Sequence, residues 1–337
     1  MVTELIGQYD FERARSLIES SGLAFERNFD TLVGIFFDRE LVAVAARQQN
    51  ILKMFAIAEH HQGGGCLGEL ATELIRSGFT AGYDSFFVFT RPQNASSFQA
   101  LGFATLVQHP QAVLLEYGGG LGRYFDRHRE LVRPGGNGAV VVNCNPFTRG
   151  HRYLIEQAAV RVEGLYVFVV REDRSVFPFE VRLRLVEEGV RDLPNVTVLD
   201  SSHYAVSAVT FPGYFLKNDE SAAQLQMEVD LLLFGRHLAS FFHISKRFIG
   251  TEPYCRTTRS YSQTMQHLLP RFGIETVQLE RIRAGEQVVS AYRVRELLRR
   301  EAYEELRTLV PPTTYAYLLS AAAAAIREQF RTYDRRH

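Results

Sequence analysis

The strongest constraint on the fold is one segment in which an apolar run gives way to a Pro-containing turn and then to a helix start, Val140–His151. The run Ala139–Val142 is continuously apolar, which is typical of a strand buried on both faces. The next apolar positions recur at helical spacing and predict the inner face of a helix: Leu154, Ile155, Ala158 and Ala159. This part of the chain is therefore predicted to form a strand, a turn and a helix.

The same alternation continues to the end of the second half. Further strands are predicted between helical stretches, at Leu165–Val170, Val196–Leu199, Arg247–Ile249 and Thr276–Leu279. Strands that alternate with helices form parallel sheets covered on both faces. The second half is therefore predicted to be a Rossmann-like, doubly wound α/β domain, and such sheets bind ligands at the carboxyl ends of their strands.

The first half has a different pattern, with strands in succession and few helices. Helices are predicted near Asp10–Ser20, around Leu67–Ile75 and from Asn94, and strands at Leu32–Phe37, Leu41–Ala46, Ile51–Ile57, Ser85–Thr90, Phe103–Val107 and Ala112–Tyr117. This order predicts an α+β domain. Glycine-rich breaks at Gly118–Gly120 and Pro134–Gly138 flank a short charged helix, so the predicted domains are residues 1–130 and 139–337.

Composition excludes several classes of protein. The formal net charge is +0, which supplies no global field for nucleic acid or for an anionic membrane. Apolar runs are too short for a membrane span, and the first residues lack the apolar core of a secretion signal. The three cysteines, Cys66, Cys144 and Cys255, have no metal-type spacing, and we interpret Cys144 and Cys255 as packing residues. We expect a cytoplasmic protein.

The turn before the second-half helix has the features of a phosphate site. Thr148 and His151 stand at a helix N-terminus, where backbone N–H groups and the helix dipole attract anions. Gly150 permits close approach of the backbone, and an imidazole can donate a hydrogen bond to a phosphoryl oxygen.

Two signatures resemble those of the nucleotidyltransferase superfamily. The segment from Thr148 to His151 is similar to its H/T-x-G-H motif, and Val289–Arg295 resembles the I-S-x-x-x-V/I-R start of the helix that holds the β- and γ-phosphates. The two lie about 140 residues apart, each at a predicted helix start. Together they are more specific than either one alone.

The superfamily resemblance implies a set of site residues. His151, Thr148 and Arg295 would be catalytic, and Arg171 and Arg182 would face the substrate. The implied ATP-binding residues are Asn145, Pro146, Phe147, Thr148, Gly150, His151, Gly250, Thr251, Glu252, Ser290 and Arg295. Arginine suits the pyrophosphate end because its planar fork binds phosphate through two hydrogen bonds.

Longer segments of the second half resemble the citrate lyase ligase family. The likeness runs through residues 139–320 and includes NPFTRGHRYLIEQAA, TFPGYFLK and RFIGTEPYCRTTRSYSQTM. It implies that ATP, with Mg²⁺, activates acetate as acetyl-AMP. The acetyl group would then pass to the prosthetic-group thiol of the citrate lyase acyl carrier subunit, a phosphoribosyl-dephospho-CoA arm.

A loop of the first half resembles the CoA-pyrophosphate loop of the GNAT acetyltransferases, and the family architecture also has such a domain. The implied CoA-like loop contains Gly63, Gly64, Gly65 and Gly68. Backbone amides at the following helix start are the physical basis for such binding. The adjacent His60 and His61 do not indicate a metal site, because no further ligands stand at suitable spacing.

Two other functions fit part of the pattern. One is an adenylyltransferase of the pantetheine-phosphate or nicotinamide-nucleotide type, which shares both signatures. The other is a nucleotide-sensing regulator that keeps the fold without catalysis, against which the intact Thr148, His151 and Arg295 argue.

Overall fold

The computed structural model describes residues 1–171, 175–206, 220–251, 256–285 and 287–332. Within them the chain forms two compact units. The first comprises residues 1–129 with the described part of 208–233, and the second the described parts of 130–207 and 234–337. The two continuous domains of the sequence prediction therefore differ from the compact units in one segment, which belongs with the first unit.

The described residues of the first unit contain one mixed sheet. Its strands are β1 Val2–Glu4, β2 Thr31–Phe37, β3 Glu40–Gln48, β4 Ile51–Ile57, β5 Phe86–Thr90, β6 Ala104–Gln108 and β7 Val113–Tyr117. Its helices of more than one turn are α1 Gln8–Ser20, α2 Cys66–Thr80, α3 Ala95–Gln99, α4 Gly120–His128 and α7 Glu220–Leu233. The helix α2 buries Leu70 and Leu74 against the sheet because these residues recur on one face.

The sheet of the first unit has the order β1-β2-β3-β4-β5-β7-β6. Neighbouring strands are antiparallel except β4 and β5, which are parallel. That parallel pairing covers only Ile51 with Phe87 and Leu52 with Val88. Beyond this point, residues of both strands line a cavity instead of pairing.

The helix α7 groups with the first unit, whereas the sequence prediction placed its residues in the domain of residues 139–337. It packs against β6 and buries Leu225 and Val229. The Glu228 carboxylate lies 2.9 Å from Nε2 of His109, at the end of β6. An amphipathic pattern predicts that a helix buries one face, but not which neighbour in the fold will cover it.

The second unit is built on parallel strands. They are β8 Asn137–Val142, β9 Leu165–Val169, β10 Val196–Asp200, β11 Ile244–Gly250 and β12 Glu275–Leu279. The helices are α5 Arg149–Ala159, α6 Phe179–Gly189, α8 Ala239–Phe241, α9 Arg256–Leu268, α10 Ala291–Arg299, α11 Tyr303–Leu306, α12 Pro312–Leu319 and α13 Ala324–Thr332. A short hairpin joins β13 Arg283–Ala284 to β14 Gln287–Val288. Among the described helices, none combines the length and apolarity needed to cross a membrane.

The strand order β10-β9-β8-β11-β12 places the first strand of the second unit at its centre. The chain moves outward through β9 and β10 and then returns to the other side of β8 as β11. This reversal between β8 and β11 opens a crevice at the carboxyl ends of the strands. The predicted α+β class of the first half and the Rossmann-like parallel sheet of the second are confirmed, and the GNAT-like assignment of the first half stays a prediction.

Candidate active site at the strand ends of the second unit

The helix α5 begins with a reciprocal pair of hydrogen bonds between Thr148 and His151. The Thr148 hydroxyl oxygen accepts the backbone N–H of His151 at 3.2 Å, and the backbone N–H of Thr148 donates to Nδ1 of the His151 ring at 3.1 Å. This is a capping box in which an imidazole takes the place of the usual Glu or Gln side chain. It fixes the position of the ring at the helix start.

These bonds determine which ring nitrogen of His151 carries the proton. A backbone N–H can only donate, so Nδ1 is an acceptor and the neutral ring is protonated at Nε2. Burial, and secondarily the positive charge of Arg281, lower the pKa of His151 from its ordinary 6.5 to about 4. His151 is therefore a neutral donor at physiological pH, with Nε2–H available to a ligand.

The second signature forms another capped helix start beside the first. Ser290 is the N-cap of α10, and its hydroxyl oxygen accepts the backbone N–H of Arg293 at 3.3 Å. The two helix starts nearly touch: a Cβ atom added to Gly150 would lie 3.1 Å from the carbonyl oxygen of Val289. Glycine at 150 therefore permits the close approach that brings the signatures together.

Arg295 forms a hydrogen bond with the turn that precedes α5. Its Nη1 donates to the carbonyl oxygen of Asn145 at 2.6 Å, and the Asn145 side-chain oxygen accepts the backbone N–H of Phe177 at 3.0 Å. Pro146 and Phe147 are buried, and the Phe147 ring stacks on the His151 ring. The predicted contact of Arg295 with phosphate stays a prediction, since the observed bond links it to the backbone of the turn.

Both helix starts open onto one cavity of about 430 Å³ at the crevice between β8 and β11. Thr148, Gly150, His151 and Ser290 line it. The other lining residues are Val141, Val142, Asn143, Tyr153, Leu154, Val170, Val206, Arg247, Phe248, Ile249, Gly250, Thr258, Tyr261, Ser262, Met265, Leu279, Glu280, Arg281, Val289 and Ala291. Four of the site residues predicted from the two signatures thus meet at the edge where a doubly wound sheet binds ligands, whereas the predicted residues Asn145, Pro146, Phe147 and Arg295 are not among the lining residues.

The end of β11 forms another part of the rim. Gly250 lines the cavity, and the backbone N–H of Thr251 donates to the carbonyl oxygen of Leu279 at 2.9 Å. The Thr251 hydroxyl lies 3.5 Å from the carboxylate of Glu280. Glu252, which was predicted to bind ATP, lies outside the described residues.

Arg171 and Arg182, the predicted substrate-facing arginines, have different environments. Arg171 is 42% exposed, pairs with the Asp200 carboxylate at 2.5 Å and lies over the Phe179 ring. Arg182 is fully buried and donates to the carbonyl oxygens of Asn143 and Val170 at 2.8 and 2.7 Å. These bonds favour a structural role for Arg182, in which it holds the ends of β8 and β9. The predicted substrate contacts of both arginines stay predictions.

Sequence reasoning missed two arginines that line the cavity, Arg247 and Arg281. Arg281 follows β12, so the rule that ligands bind at the carboxyl ends of strands could have identified it. Arg247 lies within β11, where an isolated arginine in an apolar strand is itself the signal. Tyr261, from α9, adjoins Arg247 in the same wall.

The CoA-like loop lies in the first unit at a second cavity, of about 650 Å³. Gly63, Gly65 and Gly68 line it, and Gly64 lies in the same loop. Gly65 is the N-cap of α2 and has a φ of 85°, a left-handed conformation that favours glycine. Its assignment to CoA binding stays a prediction.

Known proteins resemble the chain over nearly its whole length. Residues 137–318 match the model of the citrate lyase ligase C-terminal domain. The citrate (pro-3S)-lyase ligase of Klebsiella pneumoniae is 40% identical over 307 residues, which cover 89% of this chain and 90% of the relative. The chain belongs to the citrate lyase ligase family. The family's enzyme from Escherichia coli K12 is 37% identical over 309 residues, covering 89% of this chain and 88% of that relative.

A shorter likeness connects this citrate lyase ligase family member to another class of enzyme. A phosphopantetheine adenylyltransferase of Streptococcus gordonii is 36% identical over 100 residues, which cover 28% of this chain and 61% of that protein. The likeness covers less than a third of the chain, so it does not span both signatures, which extend from Thr148 to Arg295.

Proposed function

We propose that this protein uses ATP to activate acetate as acetyl-AMP and then acetylates the prosthetic-group thiol of the citrate lyase acyl carrier subunit. Membership of the citrate lyase ligase family supports an acid–thiol ligase that activates citrate lyase. The observation that carries the proposal is the meeting of both signatures, through Thr148, His151 and Ser290, at one cavity.

The geometry supports binding of the ATP phosphates across the two helix starts. Helix N-termini carry unsatisfied backbone N–H groups and a partial positive charge. Here the starts of α5 and α10 face one cavity, and Arg281 adds a full positive charge to its wall. A triphosphate would lie with its α-phosphate near Thr148 and His151 and its β- and γ-phosphates toward Ser290.

In the chemical step, a carboxylate oxygen of acetate attacks the α-phosphorus. The bond from the α-phosphorus to the bridging oxygen breaks, and pyrophosphate leaves. Acetate needs no general base because it is already ionised near neutral pH. Catalysis then rests on positioning and on stabilising the charge of the phosphoryl oxygens.

Neutral His151 suits this role. Its Nδ1 is held by Thr148, so Nε2–H is the donor that would bind an oxygen of the α-phosphate. Donors that are positioned before the reaction need no reorganisation when charge develops. The low pKa, about 4, keeps the same protonation state throughout the physiological range.

At this site the phosphates of the nucleotide would supply more of the Mg²⁺ ligands than the protein does. Among the described residues no group of three metal-ligating side chains occurs. Mg²⁺ commonly binds substrate phosphates together with one or two carboxylates, and Glu280 is a carboxylate in the cavity wall. When bound, the ion would neutralise phosphate charge, and Glu280 would hold it from the protein side.

The second step transfers the acetyl group. The thiolate of the carrier's prosthetic arm attacks the carbonyl carbon of acetyl-AMP, a thioester forms, and AMP leaves; the thiol proton passes to solvent. A carrier subunit as partner and a cytoplasmic location belong to this proposal.

The deciding experiment measures products in the presence of ATP, Mg²⁺, acetate and the thiol form of the carrier subunit. We expect AMP and pyrophosphate, both dependent on acetate, and one acetyl group on each carrier thiol by mass spectrometry. ADP and phosphate would instead indicate an acetyl-phosphate mechanism and would refute the proposal.

An adenylyltransferase is the second candidate, favoured by the likeness to phosphopantetheine adenylyltransferase. Such an enzyme transfers AMP to a phosphate of a pantetheine or nicotinamide nucleotide. It would release pyrophosphate without acetate when given 4′-phosphopantetheine or nicotinamide mononucleotide. The same assay, with acetate replaced by each of these acceptors, separates the two functions.

A further inference from the structure

Arg247 is a charged residue in the interior of the second unit. It lies in the middle of the five-stranded sheet, paired with Ala139 of β8 and Thr276 of β12. Its side chain is 2% exposed. The guanidinium stays protonated in proteins, so the sheet interior holds a permanent positive charge here.

The surroundings of this cation leave its hydrogen-bonding capacity largely unused. Its Cζ lies 4.1 Å from the centroid of the Phe234 ring, and Nη2 lies 3.4 Å from the Tyr261 hydroxyl oxygen. Nε and Nη1 are buried and have no hydrogen-bond partner in the described structure. An aromatic face attracts a cation but offers no acceptor, and an uncompensated buried charge is strongly unfavourable.

Arg247 also lines the cavity that contains the two helix starts. It is three residues before Gly250, so its backbone lies about 10 Å from the carboxyl end of the strand at ~3.3 Å per residue. The phosphate-facing groups Thr148, His151 and Ser290 are at the strand-end rim. The cavity therefore has a deeper wall with its own cation, and the apolar side chain of Met265 belongs to the same lining.

We propose that Arg247 binds the carboxylate of the acid substrate at the deep wall of the cavity. This inference rests on the proposed function, in which a small carboxylic acid attacks ATP. A guanidinium matches a carboxylate in shape and charge, and an anion supplies the acceptors that Nε and Nη1 lack. One oxygen of the acid would accept from Arg247, and the other would attack the α-phosphorus.

The position favours a carboxylate over a phosphate of ATP as the anion. The helix starts at the rim already provide donors for a triphosphate, whereas apolar groups flank Arg247. A short acid can place its charge on the guanidinium and its methyl group against Met265, an apolar residue of the cavity lining. A phosphate bound at Arg247 would instead have to place all its charged oxygens against a wall that is partly apolar, which is unfavourable.

The kinetic test compares Arg247→Met with Arg161→Met in the full-length protein. Arg161 is an exposed arginine after α5 and serves as the matched control. Initial rates of pyrophosphate release give KM for acetate at saturating ATP and KM for ATP at saturating acetate. For Arg247→Met we expect KM for acetate to rise on the order of tenfold to a hundredfold, the scale of losing hydrogen bonds to a charged group. KM for ATP should stay within about twofold, and Arg161→Met should change neither value.

A binding measurement separates this inference from the proposed function. Sodium acetate should raise Tm of the wild-type protein relative to sodium chloride at equal ionic strength, because a ligand stabilises the state that binds it. Arg247→Met should lose the acetate effect and keep the effect of ATP. This comparison stands even if the wild type forms no AMP from acetate, an outcome that refutes the proposed function alone.

Two results would overturn the inference. A rise in KM for ATP with unchanged KM for acetate would assign Arg247 to a phosphate. Unchanged kinetics with an unchanged acetate effect on Tm would show a structural charge that contacts no ligand. If Arg247→Met does not fold, Arg247→Lys keeps the charge without the planar fork, and the same selective rise in KM for acetate is expected.

Discussion

Thr148 and His151 are joined by two reciprocal hydrogen bonds. The backbone N–H of Thr148 donates to Nδ1 of His151 at 3.1 Å, and the backbone N–H of His151 donates to the Thr148 hydroxyl oxygen at 3.2 Å. The arrangement serves two purposes with the same atoms. It caps α5, and it turns the imidazole into a neutral donor with a defined tautomer. The structural and the chemical roles of His151 can therefore be separated by choosing a residue that preserves only one of them.

The first prediction concerns His151→Gln and His151→Ala. Glutamine at this helix position can accept the Thr148 N–H through its side-chain oxygen and still offer an N–H donor to the cavity. His151→Ala loses both, and pyrophosphate release should fall on the order of a hundredfold or more. His151→Gln should retain substantially more activity than His151→Ala. Equal loss in both variants would mean that the imidazole has another role than donation.

The second prediction concerns pH and stability. The pKa of His151 falls from 6.5 to about 4 on folding, so between these values the unfolded chain binds a proton at residue 151 and the folded chain does not. Its contribution to stability is therefore fully present above pH 6.5 and is lost as pH falls toward 4. Urea denaturation across this range should show a decline that is weaker in His151→Gln. Parallel curves for the two proteins would contradict the assignment.

The third prediction concerns the contact between the two helix starts. In Gly150→Ala the new methyl group would lie 3.1 Å from the carbonyl oxygen of Val289, so the helix starts must move apart by a few tenths of an ångström. We expect KM for ATP to rise several-fold while the protein stays folded, because small displacements weaken positioned contacts. Gly122→Ala is the control, since its new methyl group meets no atom within 4 Å. An unchanged KM in Gly150→Ala would show that the contact is not needed.

The fourth prediction is that Cys144 takes no part in acyl transfer. Its thiol is buried, and burial raises its pKa, so the reactive thiolate is scarce. Cys144→Ala should form acetylated carrier at a rate within about threefold of the wild type, because a buried thiol acts as a small apolar side chain. An inactive but folded Cys144→Ala protein would support a thioester relay through this residue.

The fifth prediction concerns the first unit. The full-length protein should bind CoA in calorimetry, and Gly65→Val should weaken that binding, because valine disfavours the φ of 85° at the start of α2. Full-length His151→Ala should not transfer acetyl groups from acetyl-CoA to an amine. Robust transfer by this variant would show that the first unit is an independent acetyltransferase.

The sequence predicted the parts of the site that depend on local pattern. A buried strand followed by a capped helix start is a local feature, so Thr148 and Ser290 could be located before the fold was known. Arg295 was predicted to face phosphate, whereas its observed bond to the Asn145 carbonyl depends on a contact across 150 residues. Arg182 is similar, since its hydrogen bonds to the carbonyl oxygens of Asn143 and Val170 form only when the ends of β8 and β9 are aligned.

Arg247 and α7 illustrate what the sequence pattern could not predict. The environment of Arg247 depends on Phe234 and Tyr261, which come from two different elements. The docking of α7 depends on a complementary surface around β6, more than a hundred residues earlier in the chain. Both are non-local packing events, and the periodicity of a single segment carries no information about them.

The distance in sequence between the two signatures has a consequence for biosynthesis. A chain emerging from the ribosome presents Thr148 and His151 well before Ser290 has been made. Because both helix starts line the cavity, the nascent protein does not have the complete proposed nucleotide site until α10 has docked. ATP affinity then reports that the last helices have joined the sheet, and saturating nucleotide should slow proteolytic cleavage after α10 by holding them there.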